Sequence, residues 1–122
     1  MIKGKSVLIE DDFKERRLAK GPVKDFSAAI QKVWEDPSFS WEGGESNLIA
    51  QKRGIRAVFK LLDAFEDENL VIGTHGNIMV LIFNFFDAAY GFQFWQQLDM
   101  PDLYELTFDG KSLLNVTRHW QR

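Results

Sequence analysis

The sequence predicts an α/β fold that ends in an antiparallel pair of strands, and three observations carry that expectation. Leu70-Val71-Ile72-Gly73-Thr74 is a continuously apolar run, as in strands covered on both faces of a parallel sheet. Two amphipathic stretches precede it, Asp25 to Trp34 and Ser46 to Phe65, with apolar residues at helical spacing. Near the end, Asp109-Gly110 separates the strand-like segments Tyr104 to Phe108 and Leu113 to Val116, which is a strong hairpin signal.

Taken in chain order, Val7-Leu8-Ile9 is a short apolar run ending in acids and reads as a strand. Asp12 to Lys20 is charged and reads as a loop or helical turn, punctuated by Gly21-Pro22. The first helix places Phe26, Ala29, Ile30, Val33 and Trp34 on one face, with Asp25 as its N-cap and Pro37 as its stop. A loop from Ser38 to Gly44 leads to Ser46, which can cap a long helix striped by Leu48, Ile55, Val58, Phe59, Leu62 and Phe65. Gly54 lies inside that helix, where glycine costs about 1 kcal/mol relative to alanine. A tight contact with a neighbouring element would account for it. Ile78 to Phe86 is apolar nearly all round, yet far short of the ~20 residues that span a bilayer, so it reads as a buried helix. Phe92 to Leu98 adds a helical turn or two between Gly91 and Pro101.

Composition narrows the classes of function. The chain has 122 residues, 45% of them apolar, enough for one domain with a core over residues 1–122. Its net charge of −3 argues against nucleic acid as a partner. It has no cysteine, which excludes a disulfide scaffold and a thiolate zinc site and gives no pointer to secretion. The apolar run near Met1 is too short for a signal peptide core or a membrane span, so a cytoplasmic protein without a membrane partner is expected.

The residues that can carry chemistry gather around Thr74-His75-Gly76-Asn77. Ligands of open α/β sheets bind beyond the carboxyl ends of strands. The first amides of the following helix have no internal partner and sit at its positive end. Gly76 lets an anion approach the backbone, and His75 at the rim can donate to a phosphoryl oxygen. His75 can equally be a structural histidine at a strand end. Asn77 reads as a helix cap or as a phosphate contact.

The ordered set Phe13-Lys14-Glu15-Arg16, Gly44-Glu45-Ser46 and Val71-Ile72-Gly73-Thr74-His75-Gly76-Asn77-Ile78 resembles the histidine phosphatase superfamily, in its phosphoglycerate-mutase-like branch. The resemblance covers nearly the whole chain. It implies a three-layer α/β/α sheet with phosphate or a phosphorylated small molecule as ligand, and no cofactor or metal is expected. It makes His75 the second active-site histidine, which binds the phosphoryl group. Glu15 becomes the general acid that protonates the leaving oxygen, and Arg16 faces substrate. Arg53 stays a packing or surface arginine on the long helix, and Glu45 and Ser46 a helix start.

The departure from the family is as informative as the match. Such enzymes open on a strand bearing Arg-His-Gly, whose histidine attacks phosphorus, and a second arginine follows. Arg-His-Gly occurs nowhere here, and the only other histidine, His119, precedes Trp120 and reads as surface or structural. The fold is therefore expected to be incomplete at its N-terminal strands, and the isolated chain to have negligible phosphatase or mutase activity. Another chain could complete it, or it could serve as a non-catalytic interaction module. The missing strand would leave 70–74 with an unpaired edge. With the aromatic load of Phe83, Phe85, Phe86, Tyr90, Phe92, Phe94 and Trp95, this predicts a homodimer.

Overall fold

The computed structural model describes residues 10–66, 72–99 and 104–119. A 3-10 turn at Asp11–Phe13 leads through irregular chain to α1 (Phe26–Glu35), α2 (Asn47–Ala64), α3 (Gly76–Phe86), α4 (Phe92–Gln96), β1 (Tyr104–Asp109) and β2 (Ser112–Arg118). This is a small α/β arrangement of four helices and one two-stranded antiparallel sheet among the described residues.

Local chemistry explains the boundaries. The Asp25 carboxylate accepts from the Ala28 amide and the Ser46 hydroxyl from the Ile49 amide, so both expected N-caps form. The hairpin turns at Gly110, whose φ of 59° lies in the left-handed region. Along β1, half-buried Tyr104, Leu106 and Phe108 alternate with exposed Glu105, Thr107 and Asp109, the period-2 pattern of a sheet with one covered face.

The core is organised on α3. Ile78, Leu81, Ile82 and Phe83 are buried in one cluster with Ala50, Ile55, Ala57 and Val58 of α2. Gly54 makes the close approach possible, because a β-carbon there would lie 2.8 Å from Ile82 Cγ1. The expected tight contact at this glycine is therefore present. On the other side of α3, the Phe83 ring meets Tyr90, Phe94 and Tyr104 at centroid distances of 5.5, 6.1 and 5.5 Å. Most of the aromatic load is thus internal packing, with Phe85 left half exposed at 50%. A second cluster holds Leu18, Ala29, Ile30 and Val33 against Phe92 and Trp95.

The sheet expectation is corrected in part. Ile72, Gly73 and Thr74 have no regular structure, and Ile72 is 43% exposed. An apolar run becomes a strand only where a neighbour completes its ladder. The only ladder among the described residues is that of the hairpin. The remainder of that run, residues 70–71, and Val7-Leu8-Ile9 lie outside the described residues. Among those residues, no helix is long and apolar enough to cross a membrane.

Candidate functional site

The segment from Asp12 to Arg17 is strung between the N-termini of α2 and α3, and a polar network fixes it there. The Arg53 guanidinium holds both Glu45 carboxylate oxygens, from Nε at 2.9 Å and Nη2 at 2.8 Å. Its Nη1 donates to the carbonyls of Asp12 and Lys14 at 2.7 and 3.0 Å. Arg53 is buried, so the surface alternative for it is excluded and the packing one holds. Glu45, expected only to start a helix, is its partner.

Gly44 brings the segment around Leu18 against the residues that precede α2. A β-carbon at this position would sit 2.0 Å from the Leu18 carbonyl oxygen, inside van der Waals contact. The adjoining backbone closes with Glu45 N–H donating to the Arg17 carbonyl and Lys20 N–H to the Glu42 carbonyl. Thr74 then ties a third segment into the network, its hydroxyl donating to the Phe13 carbonyl at 2.7 Å.

This frame sets Glu15 on the start of α3. One carboxylate oxygen accepts from the Asn77 amide at 3.1 Å and the other from the Ile78 amide at 2.9 Å. The Arg16 amide also donates to Glu15, at 2.9 Å. The Met79 amide closes the first helical turn on the His75 carbonyl. Residues 15 and 77, more than sixty positions apart, therefore meet where the anion site was expected. The amides themselves are not open, because a carboxylate of this chain occupies two of them. All three of these partners are N–H donors, so Glu15 acts here as an acceptor.

Three other expected site residues stand differently from their sequence reading. Arg16 is 5% exposed and does not face outward. It donates to the side-chain oxygens of Asn47 and Asn77 and to the Glu45 carbonyl. Burial holds its guanidinium below the ordinary value, and the charges of Glu45 and Glu15 offset only part of that. Asn77 neither caps α3 nor reaches solvent; it is the second residue of the helix, 2% exposed, with its oxygen on Arg16 at 3.2 Å. Gly76 is the first helical residue, packed loosely enough that a β-carbon would find ordinary contact with Leu98 at 3.4 Å.

His75 is the N-cap of α3, makes no capping hydrogen bond through its side chain, and is exposed. Beside it, a cavity of about 380 Å³ is lined by Ser27, Gly76, Trp95, Gln96 and Leu98. Its lining includes a hydroxyl, a carboxamide and an indole, but no charged side chain. His119 is carried on the hairpin, where its Nε2 lies 2.8 Å from Glu105 Oε1 in an exposed pair, in keeping with a surface role.

The sequence pattern carried no signal for Glu45, Asn47 and Thr74 as the residues that hold this cluster. Set against protein-family models, curated proteins and solved structures, the chain matches none.

Proposed function

We propose that the chain is a histidine-phosphatase-like domain of the phosphoglycerate-mutase type that keeps a phosphate-responsive turn at His75 and does not turn phosphomonoesters over. One observation carries this reading: Glu15 and the His75-Gly76-Asn77 turn converge in space, the convergence that the family resemblance requires of its acid and its second histidine. The exposed imidazole stands at the positive end of an eleven-residue helix, next to an uncharged cavity that suits the organic part of a small phosphate ester.

The chemistry argues for binding without turnover. Covalent phosphoryl transfer needs one imidazole to attack phosphorus while other groups hold its oxygens. His75 can take one of those roles only. Arg16, a candidate for a clamp, has both terminal nitrogens committed to Asn47, Asn77 and the Glu45 carbonyl, so it cannot offer an oxyanion its paired terminal donors. The test is a titration of the purified chain with inorganic phosphate and orthovanadate, followed by the His75 ring resonances, together with assays on a panel of phosphomonoesters. Shifts at His75 and Gly76 with no hydrolysis are expected. Steady hydrolysis would overturn the inactivity, and an unresponsive His75 would overturn the phosphate reading.

A second reading, a non-catalytic interaction module on the same fold, is favoured by the carboxylate already seated on the α3 amides. In that case anions leave His75 unmoved and a partner bound by the wild-type chain is also bound by His75→Ala. The homodimer belongs to the first reading, with half-exposed Phe85 and neighbouring Phe59 as its apolar contribution. Sedimentation across a wide concentration range tests it, and a constant monomer mass rejects it.

A further inference from the structure

We infer that Glu15 is an internal plug: its carboxylate occupies the oxyanion seat on α3, and an external oxyanion enters only by displacing it. This rests on the phosphate reading above and adds a regulation of that same site. The geometry is two-pronged, with one oxygen on the Asn77 amide at 3.1 Å and the other on the Ile78 amide at 2.9 Å. A carboxylate set this way is the shape and charge of two oxygens of a phosphate at a helix N-terminus.

The helix end is not the only sign that the seat suits an oxyanion. Two donors in the same cluster have no acceptor, Arg16 Nε and Asn77 Nδ2, in side chains 5% and 2% exposed. A buried donor without a partner is costly. The cluster therefore holds more hydrogen-bond donors than Glu15 satisfies, and a tetrahedral anion offers more acceptor oxygens than a carboxylate. The tether is short and firm on both sides of residue 15: Lys14 is held through its carbonyl by Arg53, and Arg16 by Asn47, Asn77 and Glu45. Glu15 can thus leave the amides by side-chain rotation while its backbone stays in place.

The experiment measures the affinity of inorganic phosphate and of orthovanadate for four full-length proteins: wild type, Glu15→Ala, Glu15→Gln and Asp12→Asn. Asp12 pairs with exposed Arg56 and serves as the control for removing one negative charge away from the amides. Two charge-assisted bonds compete with the ligand in wild type, so Glu15→Ala should bind both anions at least about tenfold more tightly. Glu15→Gln, which keeps the volume and one acceptor oxygen, should fall between, and Asp12→Asn should stay close to wild type. Acetate should compete with phosphate in Glu15→Ala by taking the vacated seat. If Glu15→Ala does not fold, the Glu15→Gln and Asp12→Asn pair decides the matter by the same ordering. Equal affinity in wild type and the Glu15 variants overturns the plug and leaves the phosphate reading standing. No binding by any of the folded proteins overturns both.

Discussion

The Arg53 guanidinium clasps both oxygens of Glu45, eight residues earlier on the chain, and its third nitrogen holds the backbone of Asp12 and Lys14. Burial alone would raise the Glu45 carboxyl, but hydrogen bonds from Arg53 and the Arg17 amide, with the charges of Arg53 and Arg16, hold it below its ordinary value. Because the folded value is the lower one, the unfolded chain takes up the proton first as pH falls. The stabilisation is complete above the ordinary carboxylate value of about 4.3 and is lost as pH falls through the folded value. Urea midpoints measured from about pH 7 down to about pH 3 should fall steeply in wild type and less steeply in Glu45→Gln. Arg53→Met, which strands the carboxylate, should cost roughly 3 kcal/mol at neutral pH.

Gly44 should tolerate no side chain. The β-carbon of Gly44→Ala would meet the Leu18 carbonyl group, which is backbone and cannot rotate away. A loss of about 3 kcal/mol is expected. The same change should disturb the His75 and Asn77 resonances, because the displaced segment carries Glu15 and Arg16. A variant as stable as wild type would show that the two segments do not approach this closely.

Phe83 should be the costliest single truncation in the core. It is 3% exposed and touches the rings of Tyr90, Phe94 and Tyr104, so it joins α3 to α4 and the hairpin. Phe83→Ala should lose about 3 kcal/mol or more in denaturant melts. Phe85→Ala, at a half-exposed position, should lose much less.

Trp95 should report on ligands at the His75 turn. It lines the cavity beside Gly76, and its indole nitrogen would lie 4.0 Å from a β-carbon built there. Its emission should change on titration with phosphate or vanadate, and Trp95→Phe should abolish that change. A response surviving the substitution would place the anion elsewhere.

Much of the helical framework is legible in the sequence because its signals are local. Asp25 and Ser46 announce helix starts a few residues ahead, and Asp109-Gly110 announces its hairpin. The mid-helix Gly54 announces a close neighbour, though not that the neighbour is Ile82. The candidate site is legible only as a gathering of Glu15 with the His75 turn, and that came from a resemblance rather than from spacing. What escaped depends on partners distant in the chain. Asn77 looks like a cap until Arg16, 61 positions away, claims its oxygen. Arg53 looks like an ordinary helical cation until it meets Glu45 and two carbonyls of the opening segment. Ile72 to Thr74 look like the end of a strand, since apolar content registers burial propensity, but these three residues take no regular structure.

The contact between the Glu15 carboxylate and the α3 amides also joins the lifetimes of two regions. Amide hydrogens 77 and 78 lie in the first turn of their helix, where solvent deuterium ordinarily enters at once. Here they are sheltered by the Glu15 side chain, more than sixty residues away in sequence, so their exchange clocks the departure of that carboxylate rather than the fraying of α3 itself.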